Sequence, residues 1–131
     1  MSEAPGHPYP GKGGGISATE LCQLATAFPH VRMIAAHQGA GLSFFLQMPE
    51  VRAALRNVYF DTAATSLLYD EQSVTRLVAL AGADRVLFGS DFPLLSPRRQ
   101  LQRITALLPG DVATAVCGGN AGTLFSDLRD A

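Results

Sequence analysis

Three short apolar runs, each ending at a polar side chain, most strongly constrain the fold of this chain. The runs are Val31–Ala36, Val58–Phe60 and Val86–Phe88. Each is rich in strand-favouring residues. The polar residues that follow them are His37, Asp61 and Asp91, which lie 24 and then 30 residues apart. These separations are close to the roughly 30 residues of one strand–helix–strand unit. The pattern therefore predicts an α/β fold with a parallel sheet.

The segments between the runs have helical periodicity. Ser17 and Glu20 form a capping box ahead of an apolar helical face that ends at Pro29. Further helices are predicted over Leu42–Asn57, where Pro49 suits the first turn of a second helical piece, over Asp70–Ala81, from Ser96 onward, and as two short helices in Asp111–Leu128. Short and continuously apolar strands between helices predict a sheet that is covered on both faces.

The polar strand ends are the candidate functional residues, because the carboxyl ends of parallel strands meet at one edge of the sheet. Imidazole and carboxylate suit both metal binding and acid–base chemistry near neutral pH. For His37, the alternative to a functional role is that of a purely structural histidine. For Asp91, the alternative is a residue that caps a helix or closes a turn. For Asp61 we favour the structural interpretation, in which its carboxylate caps Thr62 to Ala64.

Composition narrows the classes of function. The formal net charge is −1, which leaves no basic surplus for nucleic acid. Hydrophobic residues make up 47% of the chain, which suggests either elements buried on both sides or a surface that something else covers. No apolar run approaches the roughly 20 residues of a membrane span. Two isolated cysteines, Cys22 and Cys117, form no disulfide framework. We expect them to be buried in a reducing compartment, and we expect the protein to be cytoplasmic with no membrane partner.

The first fifteen residues are dominated by glycine and proline, which excludes a helix or a central strand there. His7, Tyr9 and Lys12 are interleaved with the turn residues. The composition suits a flexible tail, and it also suits a loop that lines a site.

Four motifs occur in an order and spacing that resembles a known family. They are AHQGAG, NVYFDTAA, RVLFGSDFPLLSPRRQL and GNAGTLF. Together they are similar to the C-terminal half of the amidohydrolase-related hydrolases, a family of metal-dependent (β/α)8 TIM barrels. This branch of the amidohydrolase superfamily also contains decarboxylases of aromatic and muconate-type acids. The opening SEAPGHPYPGKG resembles the loop after the fifth barrel strand in some members.

The resemblance implies roles for individual residues. His37 matches the histidine after strand six, which acts on metal-bound water or on substrate. Asp91 matches the aspartate after strand eight, which is a metal ligand and also moves a proton. His7, Tyr9 and Lys12 become candidates for substrate binding, because they fall in the loop after strand five. Asn120 matches the start of the closing helix, where we expect a structural cap.

The chain also departs from the family pattern. The His-x-His after strand one is absent, and the metal histidine of strand five would lie before Ser2. We therefore expect one incomplete domain, strands six to eight of a barrel, with residues 1–16 as a loop and 17–131 as the C-terminal part. Three strands cannot close a barrel.

The expected function is that of a hydrolase fragment whose complete form uses metal-activated water on a small-molecule carbonyl substrate, with Zn²⁺ as the expected metal. Two alternatives stay open. One is a metal-dependent decarboxylase of the same superfamily. The other is a non-catalytic half-barrel whose sheet edges pair with another chain or with a second copy.

Overall fold

Three parallel strands form the centre of the chain. The computed structural model describes residue 13 and residues 15–126. The strands are β1 (Met33–Ala35), β2 (Val58–Asp61) and β3 (Val86–Leu87), in the spatial order β1-β2-β3. Ala35 lies opposite Phe60, and Phe60 lies opposite Val86. The predicted α/β class, the parallel pairing and the three strand positions are confirmed, although β1 is shorter than the apolar run that predicted it.

Helices precede, connect and follow the strands. They are α1 (Ala18–Ala27), the one-turn α2 (Ala36–Gly39), α3 (Pro49–Ala54), α4 (Thr65–Leu68), α5 (Ser73–Ala81), α6 (Pro97–Leu107), α7 (Gly110–Thr114) and α8 (Asn120–Ser126). Short 3-10 segments cover Leu42–Gln47 and Ala83–Arg85, and a π-helical turn covers Ala115–Gly119. The capping box of Ser17 and Glu20 is present at the start of α1.

The predicted helical segment Leu42–Asn57 forms two pieces, and the second begins at Pro49 as predicted, whereas the first is a 3-10 segment. Met48 is extended, with φ −85° and ψ 120°, between the 3-10 segment and α3. Pro49 explains the break, because a proline disfavours helical backbone in the residue before it but fits the first turn of a new helix.

The core is one cluster that joins the sheet to the helices. Its largest fully buried side chains are Phe60, Leu46, Leu55, Leu77, Val58, Val74, Val86 and Val116. On the other face of the sheet, Ile34 is 45% exposed and Tyr59 is only partly buried. The expectation of a sheet covered on both faces is therefore wrong at β1 and β2, because the helix residues of the cluster pack on the face that carries Phe60.

Two other expectations are corrected in detail. Asn120 begins α8, but its side-chain amide donates to the carbonyls of Ala83 (2.6 Å) and Val86 (2.7 Å). It therefore ties the closing helix to the start of β3 instead of capping its own helix. Cys22 and Cys117 are free thiols that are partly buried, not fully buried. Among the described helices, none has the length and apolar character that crossing a membrane requires.

Candidate functional site

His37 and Asp91 lie together at the carboxyl ends of the outer strands. His37 follows β1, Asp91 follows β3, and the His37 Nε2 and Asp91 Oδ1 atoms are 3.8 Å apart. The two side chains retain 17% and 27% of their exposure, so both are sheltered but open to a ligand. The parallel topology thus brings together two residues that are 54 positions apart in the chain.

The backbone at His37 is unusual. His37 has φ 57° and Gln38 has φ 56°, so two successive non-glycine residues adopt the left-handed conformation. This conformation costs about 1–2 kcal/mol per residue. Three hydrogen bonds hold the turn. The His37 N–H donates to Asp61 Oδ1 (2.8 Å), and the His37 carbonyl accepts from the Tyr69 hydroxyl (2.9 Å) and from the Ala40 N–H (3.0 Å). Both main-chain groups of His37 are therefore satisfied, and its imidazole is left to face Asp91.

Gln38 anchors the same turn from the inside. Its side chain is only 4% exposed, and its amide donates to Thr65 Oγ1 (3.0 Å) and Ser73 Oγ (3.1 Å). Gly39 then follows with φ 71°, and a Cβ at that position would lie 3.1 Å from the Phe60 ring. A buried polar network therefore fixes the turn to α4 and α5.

Asp91 divides its polar groups between a turn and the candidate site. It has φ 62°, and its carbonyl accepts the N–H of Leu94 at 2.9 Å. The turn is thus closed by the main chain of Asp91, whereas its carboxylate faces His37. Of the two interpretations from the sequence, turn closure and a chemical role, the geometry is compatible with both at once.

Gly89 brings the β3 end against the β2 end. Its N–H donates to Thr62 Oγ1 (3.0 Å), and the Thr62 hydroxyl donates back to the Gly89 carbonyl (3.1 Å). A Cβ on Gly89 would lie 3.0 Å from the Cβ of Ala63 and 3.1 Å from its backbone nitrogen. The close approach of the two strand ends therefore favours a glycine, because a Cβ would press on the backbone and side chain of Ala63.

We expect Gly89→Ala to destabilise the protein by about 1–3 kcal/mol, because the added methyl group overpacks against Ala63 backbone. Urea denaturation followed by circular dichroism measures the change. Gly110→Ala is the matched control, since a Cβ there meets nothing within 4 Å. Equal stabilities for the two variants would contradict the close approach.

Asp61 is a structural carboxylate, as its predicted capping role requires, and it also holds His37. Its Oδ1 accepts from the N–H of Ala63 (3.0 Å) as well as from that of His37. Burial raises the pKa of the Asp61 carboxyl, although the two N–H donors favour its charged form. The sequence predicted the first of these bonds but not the second.

Asp61→Asn is expected to remove a pH dependence of stability. Because the Asp61 pKa is raised on folding, the folded state binds the proton more tightly than the unfolded state. The unfolding free energy of the wild type should fall, relative to that of the variant, as pH rises from the ordinary carboxyl range toward the raised value. Urea denaturation at several pH values measures this difference, with Asp84→Asn as a control at an exposed carboxylate. A difference that increases with pH would contradict the raised pKa.

The remaining sequence-predicted site residues, His7, Tyr9 and Lys12, lie outside the described residues. Sequence reasoning missed Gln38, Thr62 and Tyr69. The first two are buried polar residues beside strand ends, and that position was the only signal available for them. The contact from Tyr69 crosses 32 residues, and no local pattern indicates it.

The described residues do not form a complete metal centre. Within residues 15–126, no group of three or more His, Cys, Asp and Glu side chains is placed to hold a metal ion. His37 Nε2 and the Asp91 carboxylate are two donors of a suitable kind, whereas zinc is usually held by about four ligands, three of them from protein in catalytic sites. The pair fits part of a site for a divalent metal and needs donors from elsewhere.

A separate groove has neither His37 nor Asp91 in its lining. It has a volume of about 670 Å³ and is lined by residues that include Ser66, Glu71, Arg99 and Arg103. Arg103 is 4.0 Å from Glu71, so its charge is partly offset. We place the candidate site at His37 and Asp91, because the lining of the groove pairs no imidazole with a carboxylate.

Several solved structures have the same fold. The chain superimposes on a 5-carboxyvanillate decarboxylase from Sphingomonas paucimobilis, with 20% identity, a TM-score of 0.70 and coverage of 83% of this chain and 39% of that one. A dihydroxybenzoic acid decarboxylase from Polaromonas, with bound manganese and the inhibitor 2-nitroresorcinol, gives 18% identity, a TM-score of 0.68 and coverage of 95% and 49%. An amidohydrolase from Burkholderia multivorans with bound zinc gives 18% identity, a TM-score of 0.62 and coverage of 83% and 49%.

The chain spans half or less of the length of these structures, so its small parallel sheet resembles part of their barrel. No curated protein matches the sequence. The family model described as amidohydrolase matches residues 17–126, which include both His37 and Asp91. Because that match covers most of the sequence, the chain belongs to the amidohydrolase family.

Proposed function

We propose that this chain supplies His37 and Asp91 to the active site of a metal-dependent enzyme of the amidohydrolase superfamily that acts on a small-molecule carbonyl or carboxylate substrate. One observation carries the proposal: these two side chains are 3.8 Å apart at the carboxyl ends of parallel strands, in a segment that matches the family. The three strands would then correspond to strands six to eight of the barrel.

The proposed roles follow from the chemistry of the two groups. Asp91 would be a ligand of the divalent metal and would accept a proton during the reaction. His37 would donate a hydrogen bond or a proton to the carbonyl or carboxylate oxygen of the substrate. The separation of 3.8 Å between Nε2 and Oδ1 allows a small polar group to contact both side chains.

The metal and the substrate contacts would be completed from outside the described residues. Manganese and zinc are bound in the related structures, which supports a divalent metal, and we propose Zn²⁺ as the first to test. His7, Tyr9 and Lys12 are proposed to contact substrate.

Two reactions compete within this proposal. Hydrolysis of a carbonyl substrate is the first, in keeping with the family match. Decarboxylation of an aromatic acid is the second, and it is favoured by the names of the similar structures from Sphingomonas and Polaromonas. An assay panel of a lactone, an amide and aromatic acids separates them, because only decarboxylation releases carbon dioxide.

Metal binding by the 131-residue chain tests the proposal. Calorimetric titration with Zn²⁺ and Mn²⁺ is expected to show weak binding that Asp91→Ala abolishes, because Asp91 is the main donor among few. Asp84→Ala, at an exposed carboxylate, is the matched control and should bind as the native chain does. Binding that does not depend on Asp91 would refute its role. Tight one-to-one binding would show that this chain alone completes the site.

The non-catalytic half-barrel remains the second candidate. It is favoured by the exposed apolar side chains of β1 and of the segment just before it, among them Val31 (50%) and Ile34 (45%). A strand of another chain or a second copy would cover these side chains. Sedimentation analysis of the chain tests it: a monomer at micromolar concentration would argue against self-association through this edge.

A further inference from the structure

We infer that Asp61 and Thr62, at the end of the central strand, are positioning residues that hold His37 and Asp91 within reach of each other. We refer to these two side chains as the β2 clasp. The inference rests on the proposed function, because it assigns a purpose to the closeness of His37 and Asp91. Neither Asp61 nor Thr62 is assigned a role in the reaction. Asp61 binds the backbone of His37, and Thr62 binds the backbone of Gly89.

One half of the clasp reaches β1. Asp61 Oδ1 accepts the N–H of His37 at 2.8 Å, at the point where the chain turns into two left-handed residues. Among the bonds that hold this turn, the one to Asp61 is the bond that joins it to the central strand, and it offsets part of the cost of a backbone conformation that L-residues avoid. The carboxylate of Asp61 thus selects the turn that aims the imidazole toward β3.

The other half of the clasp reaches β3. The Thr62 hydroxyl accepts the N–H of Gly89 at 3.0 Å and donates to the Gly89 carbonyl at 3.1 Å. Thr62 is only 3% exposed, so water cannot readily replace either bond. Asp91 follows Gly89 by two residues, and the direction in which its carboxylate leaves the strand depends on this anchor.

The sheet itself does not fix the distance between the two side chains. The strand pairing of β1 with β2 ends at Ala35 and Phe60, and that of β2 with β3 ends at Asp61 and Leu87. Beyond the strands, a main-chain bond from the Thr62 N–H to the Leu87 carbonyl still joins β2 to β3, and the Phe88 N–H donates to the Val116 carbonyl. Past this point, Asp61 and Thr62 supply side-chain bonds from one central strand to both neighbouring strand ends.

Two matched pairs of variants test the clasp. The conservative variants are Asp61→Asn, which keeps an oxygen acceptor, and Thr62→Ser, which keeps the hydroxyl. The disruptive variants are Asp61→Ala, which removes the acceptor, and Thr62→Val, which removes the hydroxyl with little change in side-chain volume. The readout is the nuclear Overhauser effect between the His37 ring protons and the Asp91 Hβ protons in the labelled chain. Thermal unfolding of each variant is recorded in parallel, because a merely structural role would lower stability and leave this contact in place.

We expect the contact to persist in the two conservative variants and to be lost in folded Asp61→Ala and Thr62→Val. The His37 amide should also exchange with solvent about five- to tenfold faster in Asp61→Ala than in Asp61→Asn, as expected for the loss of one hydrogen bond. A contact that persists in both disruptive variants would overturn the inference. Failure of both to fold would overturn it as well, since the two side chains would then serve folding as a whole.

The outcome for the clasp is separate from that for the proposed function. The contact is measured without metal or substrate. Loss of the contact in the disruptive variants, together with metal binding that is indifferent to Asp91, would refute the proposed function and leave the clasp standing. Metal binding that requires Asp91, with the contact unchanged in all four variants, would refute only the clasp.

Discussion

Asp91→Ala is expected to lower the turnover of an active substrate by about 10²- to 10⁴-fold, the usual contribution of a positioned proton-transfer group. In the isolated 131-residue chain the starting rate should already be low. One reason is that the described residues offer only two metal donors. The other is that the strand ends are accessible to solvent, and water there weakens electrostatic stabilisation of the reacting groups. Initial rates on the lactone, amide and aromatic-acid panel, with Zn²⁺ or Mn²⁺ added, measure the effect.

Two control variants separate the site from general damage. Asp84→Ala removes an exposed carboxylate, and His30→Ala removes an exposed imidazole, so both should retain the native rate. His37→Ala should lose activity as Asp91→Ala does. A rate that survives Asp91→Ala would place the chemistry elsewhere. A high rate that depends on Asp91 would show that the chain completes its own site, and the expectation of an incomplete domain would have to be dropped.

Phe60→Ala is expected to destabilise the fold by about 3–5 kcal/mol, the range for a fully buried phenylalanine. Phe60 is 0% exposed on the central strand, where its ring packs against Gly39 in the turn that carries His37. The substitution therefore leaves a cavity in the core and removes the surface on which that turn rests. Urea denaturation monitored by circular dichroism gives the change in unfolding free energy.

Phe44→Ala is the control for this substitution. Phe44 is 66% exposed, so the same truncation there should change stability by less than about 1 kcal/mol. Similar losses for the two variants would mean that Phe60 is not at the centre of the core. A small loss for Phe60→Ala alone would mean that the core collapses around the missing ring.

Much of the fold could be predicted from the sequence because it depends on local patterns. Val58–Phe60 and Val86–Phe88 indicated strands through their apolar, strand-favouring residues, and the capping box of Ser17 and Glu20 marked the start of α1. The apolar composition suggested a surface that something else covers, but the sequence could not place that surface on one face of the sheet. Continuous apolarity in a strand such as β1 is the same whether its second face is packed or awaits another part of a protein.

The candidate site was predictable in its residues but not in its construction. His37 and Asp91 were identified because parallel strands align their ends, and the structure places their side chains together. The bond from Asp61 to the His37 N–H depends on a left-handed turn, and the sequence His-Gln does not predict such a turn. The hydrogen bond from Tyr69 to the His37 carbonyl could not be predicted either, because it depends on how far α4 lies from the end of β1.

The bonding of His37 separates what the position does for architecture from what it does for chemistry. Its N–H and carbonyl are held by Asp61 and Tyr69, and neither bond involves the imidazole. A substitution at position 37 therefore keeps both main-chain bonds, provided that the new residue tolerates a positive φ, as asparagine, aspartate and glycine do. Position 37 is accordingly a place where a side chain of different chemistry can be introduced without removing the hydrogen bonds that hold the turn.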